Sequence, residues 1–122
     1  MNVPVFNLQR ARERIAEPLQ QRWHRILEST AFVGGEEVEE FEQAFARFLG
    51  SAGCVGVGNG TDALTLALRA LDLEPGDEVL VPAFTFFATW ESVALAGGQP
   101  VAVDIDPESY LIDLEAAARA VG

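Results

Sequence analysis

In Cys54-Val55-Gly56-Val57-Gly58-Asn59-Gly60-Thr61-Asp62-Ala63-Leu64, a short β-prone run ends in alternating glycines and passes directly into helix-forming sequence. That order brings unpaired backbone N–H groups and the positive end of a helix dipole to one place, where a phosphate can sit. Glycine lets the backbone come close to an anion, and Thr61 adds a hydroxyl at the cap. The same residues also suit a tight strand-to-helix turn that binds nothing. The segment by itself leaves both readings open.

Outward from this turn, the chain alternates. Ala63 to Leu71 is apolar on nearly every side, which predicts a buried helix. Glu74-Pro75-Gly76-Asp77 is a turn signal, and Glu78-Val79-Leu80-Val81-Pro82 reads as a short buried strand. Thr85 to Ala96 suits a helix stopped by Gly97-Gly98; Pro100 to Ile105 is a third strand, and Asp113 caps a last helix running to Val121. A β-α-β-α-β-α order implies parallel strands joined by right-handed crossovers, with helices on the faces. Three short strands make a thin sheet with two exposed edges, as in the front part of a larger α/β protein.

Upstream, Val3 to Leu8 reads as an extended arm. Leu19, Trp23, Ile26 and Leu27 share a helical face, with Pro18 suited to the first turn of that helix. Val38, Phe41, Phe45, Phe48 and Leu49 mark a second helix, ended by Gly50. Glu36, Glu37, Glu39 and Glu40 crowd its first turns and read as a solvated helix start rather than a metal site. The lone His24, among Arg22, Trp23 and Arg25, reads as a surface or interface residue. The predicted division is residues 1–50 for the arm and helices and residues 51–122 for the βαβαβα part of one incomplete domain.

Composition narrows the chemistry. At 122 residues with 49% hydrophobic and 22% charged positions, the chain reads as one soluble globular domain. A net charge of −11 argues against broad nucleic-acid binding or attraction to anionic membranes, so any phosphate site must be local and built from backbone amides. All eight basic residues are arginine. Without lysine, these residues form neither a complete Walker P-loop nor a lysine Schiff base. Cys54 is the one cysteine, expected to be a buried, inert thiol with no disulfide partner and no metal cluster around it. Met1 to Leu8 lacks the pattern of a signal peptide and no apolar run is long enough to span a bilayer; the expected location is cytoplasmic.

Gly58-Asn59-Gly60-Thr61-Asp62-Ala63 fits the loose dinucleotide fingerprint, which also needs an acid at the carboxyl end of the second strand. That strand ends Val81-Pro82-Ala83-Phe84, and Asp77 and Glu78, roughly 20 residues on, lie at its start. A dinucleotide-binding, Rossmann-like domain is therefore the runner-up. Beyond the strand the chain turns aromatic, in Phe84-Thr85-Phe86-Phe87-Ala88-Thr89-Trp90. A phosphate cradle beside an aromatic loop suits a small phosphorylated ring. Phe84 and Phe87 are read as core residues and Phe86 as the ring facing a ligand.

Five segments in register carry a resemblance covering essentially the whole chain. They are Phe32 to Glu42, Asn59 to Leu64, Pro75 to Val79, Pro82 to Thr89 and Pro100 to Asp106. Together they resemble the amino-terminal third of the DegT/StrS-type nucleotide-sugar aminotransferases. The resemblance implies an α/β fold, three-layer α/β/α with a mainly parallel sheet, as part of the large domain of fold type I pyridoxal-phosphate-dependent transferases. It implies that backbone amides at Thr61 and Asp62, next to Gly60, hold the cofactor phosphate and that Phe86 stacks on the pyridine ring. The Asp62 carboxylate should point away or cap the helix, and Asp104 and Asp106 receive no catalytic role.

In that family the cofactor lysine and the aspartate at the pyridine nitrogen lie later in the chain than residue 122, as do further phosphate and substrate ligands. These residues thus carry half a cofactor site, with no catalytic residue and no metal ligand. Later strands of the family's sheet lie between the first strand and the next two, which makes a stable monomer of these 122 residues unexpected. The implied reaction transfers an amino group, commonly from glutamate, to a keto-sugar nucleotide, in a homodimer. A non-catalytic module that binds a phosphorylated ligand is the other reading.

Overall fold

The computed structural model describes residues 4–121. Contacts group the chain into two compact units, Met1–Gly56 and Val57–Gly122.

The first unit holds helices α1 (Gln9–Ser29) and α2 (Glu36–Leu49). Residues 4–8 form neither helix nor strand, and Val3, expected in the same arm, lies outside the described residues. Pro18 lies inside α1, not in its first turn. The run Gln9 to Glu17 is rich in Arg, Glu, Gln and Ala, which propagate a helix well enough to absorb the one hydrogen bond that proline cannot make. The exposed His24 places Nε2 3.2 Å from Glu28.

Helix α2 begins with Glu36, Glu37 and Glu39 in its first turn and ends on Gly50, whose left-handed backbone (φ 67°) returns its N–H to the carbonyls of Ala46 and Arg47. Its acidic start is not simply solvated. Arg22 bridges Glu37 and Glu40, the latter at 2.8 Å, and Arg25 meets Glu37 at 2.7 Å. These bonds, Glu37 first, raise the Arg22 guanidinium above its ordinary range. Phe41 stacks on Phe45 with ring centroids 5.6 Å apart, yet the stripe stays open, with Phe48 82% exposed.

The expected first strand is not formed. Residues 53–57 carry no strand, because a strand exists only against a neighbour and none lies beside them among the described residues. The Gly56 N–H instead donates to Glu42 Oε1 at 2.6 Å. Cys54, expected to be buried, is a half-buried free thiol within this unladdered run.

The second unit holds α3 (Gly60–Arg69), β1 (Glu78–Pro82), α4 (Ala88–Ala96), β2 (Gln99–Val103) and α5 (Leu114–Ala120). β1 and β2 pair in parallel, Glu78 opposite Gln99 through Pro82 opposite Val103. The sheet thus has two strands among the described residues, where the sequence predicts three. Gln99 N–H to the Asp77 carbonyl and Ala83 N–H to the Val103 carbonyl, both 2.7 Å, extend the ladder at its two ends. Pro100 gives the ladder no N–H and sits in an edge strand, where that omission is tolerated.

Helix α4 is the crossover. It starts at Ala88 rather than Thr85, since the aromatic run before it forms a loop, and it stops at Gly97 in the left-handed conformation (φ 99°). Its buried face, Ala88, Ser92 and Val93, packs with Val81 and Val103 as the core of the unit. Gly98 allows the return to β2: a Cβ there would stand 3.3 Å from both the Asp77 carbonyl oxygen and Val93 Cγ1. Asp113 caps α5, its carboxylate accepting from the N–H groups of Glu115 and Ala116.

Helix α3 packs on α4, but it is not covered on every side as its composition predicts. Thr65 is its buried residue, while Leu64, Leu66 and Leu71 stay exposed because the described residues supply no second layer over them.

Candidate functional site

The glycine turn delivers a helix start. Asn59, in extended conformation, is the N-cap of α3, and its Oδ1 accepts the Asp62 N–H at 2.9 Å. Asp62 reciprocates, its Oδ2 accepting from Asn59 Nδ2 at 2.9 Å. This reciprocal pair resembles a capping box, with the acid three residues after the cap. The Asp62 carboxylate, expected to point away or cap the helix, instead bonds the capping side chain, which is Asn59 rather than Thr61. Among the described residues no protein acceptor takes the N–H groups of Gly60 and Thr61. Two donors at the positive end of α3 are thus available to an anion, while the Asp62 donor is engaged by Asn59.

Ser92 fixes where this helix start lies. It is fully buried, and its Oγ donates to the Ala88 carbonyl at 2.6 Å and lies 3.3 Å from the Thr61 carbonyl. Thr65 Oγ1 donates to the same Thr61 carbonyl at 2.9 Å. The first turn of α3 is therefore tied to the first turn of α4, the helix that Phe86 and Phe87 lead into. At the other end Arg69 donates to the Leu95 carbonyl at 2.9 Å, satisfying an orphan acceptor at the end of α4.

Phe86 stands on the loop that leaves the carboxyl end of β1 and is 80% exposed. Ligands of parallel sheets collect at this edge. Phe84 and Phe87, expected in the core, are also exposed, because the described residues supply no layer that covers them. Phe84 rests on Tyr110, ring centroids 6.2 Å apart and tilted by 50°. Tyr110 belongs to the loop that leaves the carboxyl end of β2, so both strand ends open on the same edge. Phe84, Thr85, Asp106 and Tyr110 line an open depression of about 950 Å³ there. Neither the α3 amides nor Phe86 is part of its wall.

Asp104 and Asp106 close the turn after β2. Asp104 Oδ1 accepts the Ile105 N–H at 2.8 Å, and Asp106 Oδ1 accepts from the N–H and the hydroxyl of Ser109, both at 2.7 Å. Those bonds, the Ser109 N–H first, hold the Asp106 carboxyl below its usual range. Asp77 and Glu78 stand at the amino end of β1, away from the edge where a ribose would need an acid.

Sequence reasoning passed over Asn59, Ser92 and Tyr110. The cap was signalled by Asn59-Gly60-Thr61-Asp62, an amide three residues before an acid at a helix start. Ser92 was signalled by its place, four residues after Ala88, where a helical hydroxyl can bond back to that carbonyl. Nothing local marks Tyr110, whose contact with Phe84 crosses the sheet edge.

A two-stranded parallel core with a crossover helix, a capped helix start and an exposed aromatic loop define part of an α/β domain. Its likeness to solved structures is close. S. venezuelae DesV, solved in complex with a ketimine intermediate, superimposes with a TM-score of 0.90 at 37% identity, over 98% of this chain and 32% of that one. The fold is thus that of the corresponding part of fold type I pyridoxal-phosphate-dependent transferases. The DegT/DnrJ/EryC1/StrS aminotransferase family matches residues 13–122, and the chain belongs to it. Among curated relatives, the UDP-2-acetamido-2-deoxy-3-oxo-D-glucuronate aminotransferase of Pseudomonas aeruginosa is 42% identical over 94% of this chain. The dTDP-3-amino-3,6-dideoxy-alpha-D-galactopyranose transaminase of Aneurinibacillus thermoaerophilus is 41% identical over 91%. The chain spans about a third of the length of these relatives, 33% and 31%.

Proposed function

We propose that these residues are the phosphate- and ring-binding part of a pyridoxal-phosphate-dependent aminotransferase acting on a keto-sugar nucleotide. The observation that carries the reading is the tie, through Ser92, between the Gly60–Thr61 helix start and α4, the helix that the Phe86 loop leads into. It holds two unclaimed amide donors and an exposed aromatic ring on one unit, the pair of features that a phosphorylated pyridine needs.

In this role the Gly60 and Thr61 amides bind the phosphate, assisted by the α3 dipole. The Asp62 amide joins them when the Asn59 side chain yields it, and Asn59 keeps the Asp62 carboxylate bound to its own amide. Phe86 would cover one face of the ring and keep water from it. Bound there, the cofactor supplies an electron sink for amino transfer. The chain has no lysine, so the lysine that carries the cofactor comes from outside these residues, and they bind and orient without themselves moving the proton.

The whole protein, on this reading, takes an amino donor such as glutamate, works as a cytoplasmic homodimer, and neither binds nucleic acid nor enters a membrane. No helix of the described residues is long and apolar enough to cross one. Residues 1–50 form the arm and helices, and residues 51–122 the start of the cofactor domain.

The test is Gly60→Pro. Proline suits the first helical position, and the extended Asn59 before it is compatible with proline, so the variant deletes one N–H without disturbing the helix start. Pyridoxal phosphate affinity should fall about tenfold, the effect of losing one hydrogen bond to a charged group, with α3 amide protection unchanged. Unchanged affinity would remove the α3 amides from the site. Incubation with pyridoxal phosphate, glutamate and a UDP- or dTDP-linked keto sugar, with mass-spectrometric detection of the amino sugar, tests the reaction of the whole protein.

A further inference from the structure

We propose that Tyr110 is a positioning residue: through its ring contact with Phe84 it holds the Ala83–Phe87 loop, and with it Phe86, in place at the sheet edge. The inference rests on Phe86 as the cofactor-facing ring.

The contact is built from both strand ends. β1 and β2 finish together, and the Ala83 N–H to Val103 carbonyl bond is the last rung before the chains part. Phe84 is the first residue beyond that rung, and Phe86 comes two residues later. Of the polar groups in this loop, Thr85 Oγ1 lies 3.1 Å from Thr89 Oγ1 and the Phe86 carbonyl accepts the Thr89 N–H. Both anchor the far end of the loop to α4. At the near end the aromatic contact with Tyr110 is what meets the Phe84 ring.

The loop after β2 is closely cross-bonded. Ile105 bridges Ile112 in antiparallel fashion, and the Asp113 N–H closes on the Asp104 carbonyl at 2.9 Å. Inside that bridge the Asp106 N–H reaches the Leu111 carbonyl at 2.8 Å and its own carbonyl takes the Tyr110 N–H at 2.9 Å. Asp106 Oδ1 gathers Ser109 twice and the Glu108 N–H. Tyr110 itself sits at φ 59°, a left-handed conformation that disfavours a bulky residue. A non-glycine residue persists there only when its surroundings over-determine it. Glycine would satisfy the turn at lower cost, so the ring is the reason for tyrosine. It lies 65% exposed over Phe84.

The experiment compares the protein with its Tyr110→Gly and Tyr110→Phe variants. Glycine removes the ring while relieving the backbone, and phenylalanine keeps the ring and the strain. Hydrogen exchange of the Ala83–Phe87 amides is read by mass spectrometry, and pyridoxal phosphate affinity by titration. Tyr110→Gly should raise exchange there and the cofactor Kd by about two- to tenfold, the factor that an aromatic pair contributes. Tyr110→Phe should match the unaltered protein in both, and α3 exchange should not move in either variant. The proposal is overturned if Tyr110→Gly leaves loop exchange or affinity unchanged, if Tyr110→Phe behaves like Tyr110→Gly, or if exchange rises throughout α3 and β1 as well. If the unaltered protein takes no pyridoxal phosphate, the reading of Phe86 fails, while the exchange comparison still upholds or overturns the hold on the loop.

Discussion

The two units of this chain differ in how they are held together. In the second, Val81, Ser92, Val93 and Val103 are at most 3% exposed, and an α-helix crosses between two paired strands. In the first, Ala46 is the one buried residue among those described, and α1 and α2 meet through Arg22, Arg25, Glu37 and Glu40. Apolar burial is worth roughly 25 cal/mol per Å², whereas exposed ion pairs contribute little and are screened by salt. The lesson is that a regular helix and a stable one are separate achievements. Both units have the former, and the core of the second has the latter.

The sharpest way to break this contrast is a matched pair of charges. Val81→Asp should destabilise the second unit by about 4 kcal/mol, the cost of an unpaired buried charge, read as loss of protection in β1 and α4. Phe48→Asp, on the open stripe of α2, should stay within about 0.5 kcal/mol. Equal effects would mean that Phe48 is covered and the first unit has a core. Next in size, Asp113→Ala should cost about 1 kcal/mol by uncapping α5, visible as faster exchange at Glu115 and Ala116. Smaller still, Arg22→Ala should loosen the start of α2, with the difference from the unaltered protein fading in high salt.

The weakest effect is one of pH. The Ser109 bonds lower the Asp106 carboxyl in the folded chain, so they stabilise the turn above the unfolded carboxyl's pKa. That contribution is lost as pH falls through the lowered folded value. A carboxyl titration by NMR should place Asp106 below the ordinary aspartate range, and Ser109→Ala should move it back up.

Much of this architecture was legible in the residues, and the misses share a cause. Local codes are legible: the glycine stops at Gly50 and Gly97 and the Asp113 cap all rest on neighbours in sequence. What failed depended on partners far along the chain or outside it. Cys54 to Val57 has strand chemistry but no strand to pair with among the described residues. Leu64 and Leu66 have core chemistry and remain uncovered. Pro18 is a different miss, because helix propensity on both sides outweighs one lost hydrogen bond. At the site, Gly60 and Thr61 could be read from the glycine turn, while the Ser92 tie and the Tyr110 contact join segments whose proximity only folding creates.

The account depends most on the α3 start being a phosphate site. The direct measurement is a map of backbone amide shifts in the ¹⁵N-labelled protein as pyridoxal phosphate is added, with inorganic phosphate as competitor. The largest shifts should fall on Gly60 and Thr61, with ring-current shifts around Phe86, and phosphate should reverse the former. Shifts confined to α1 and α2, or none at Gly60 and Thr61 at saturating cofactor, would contradict it.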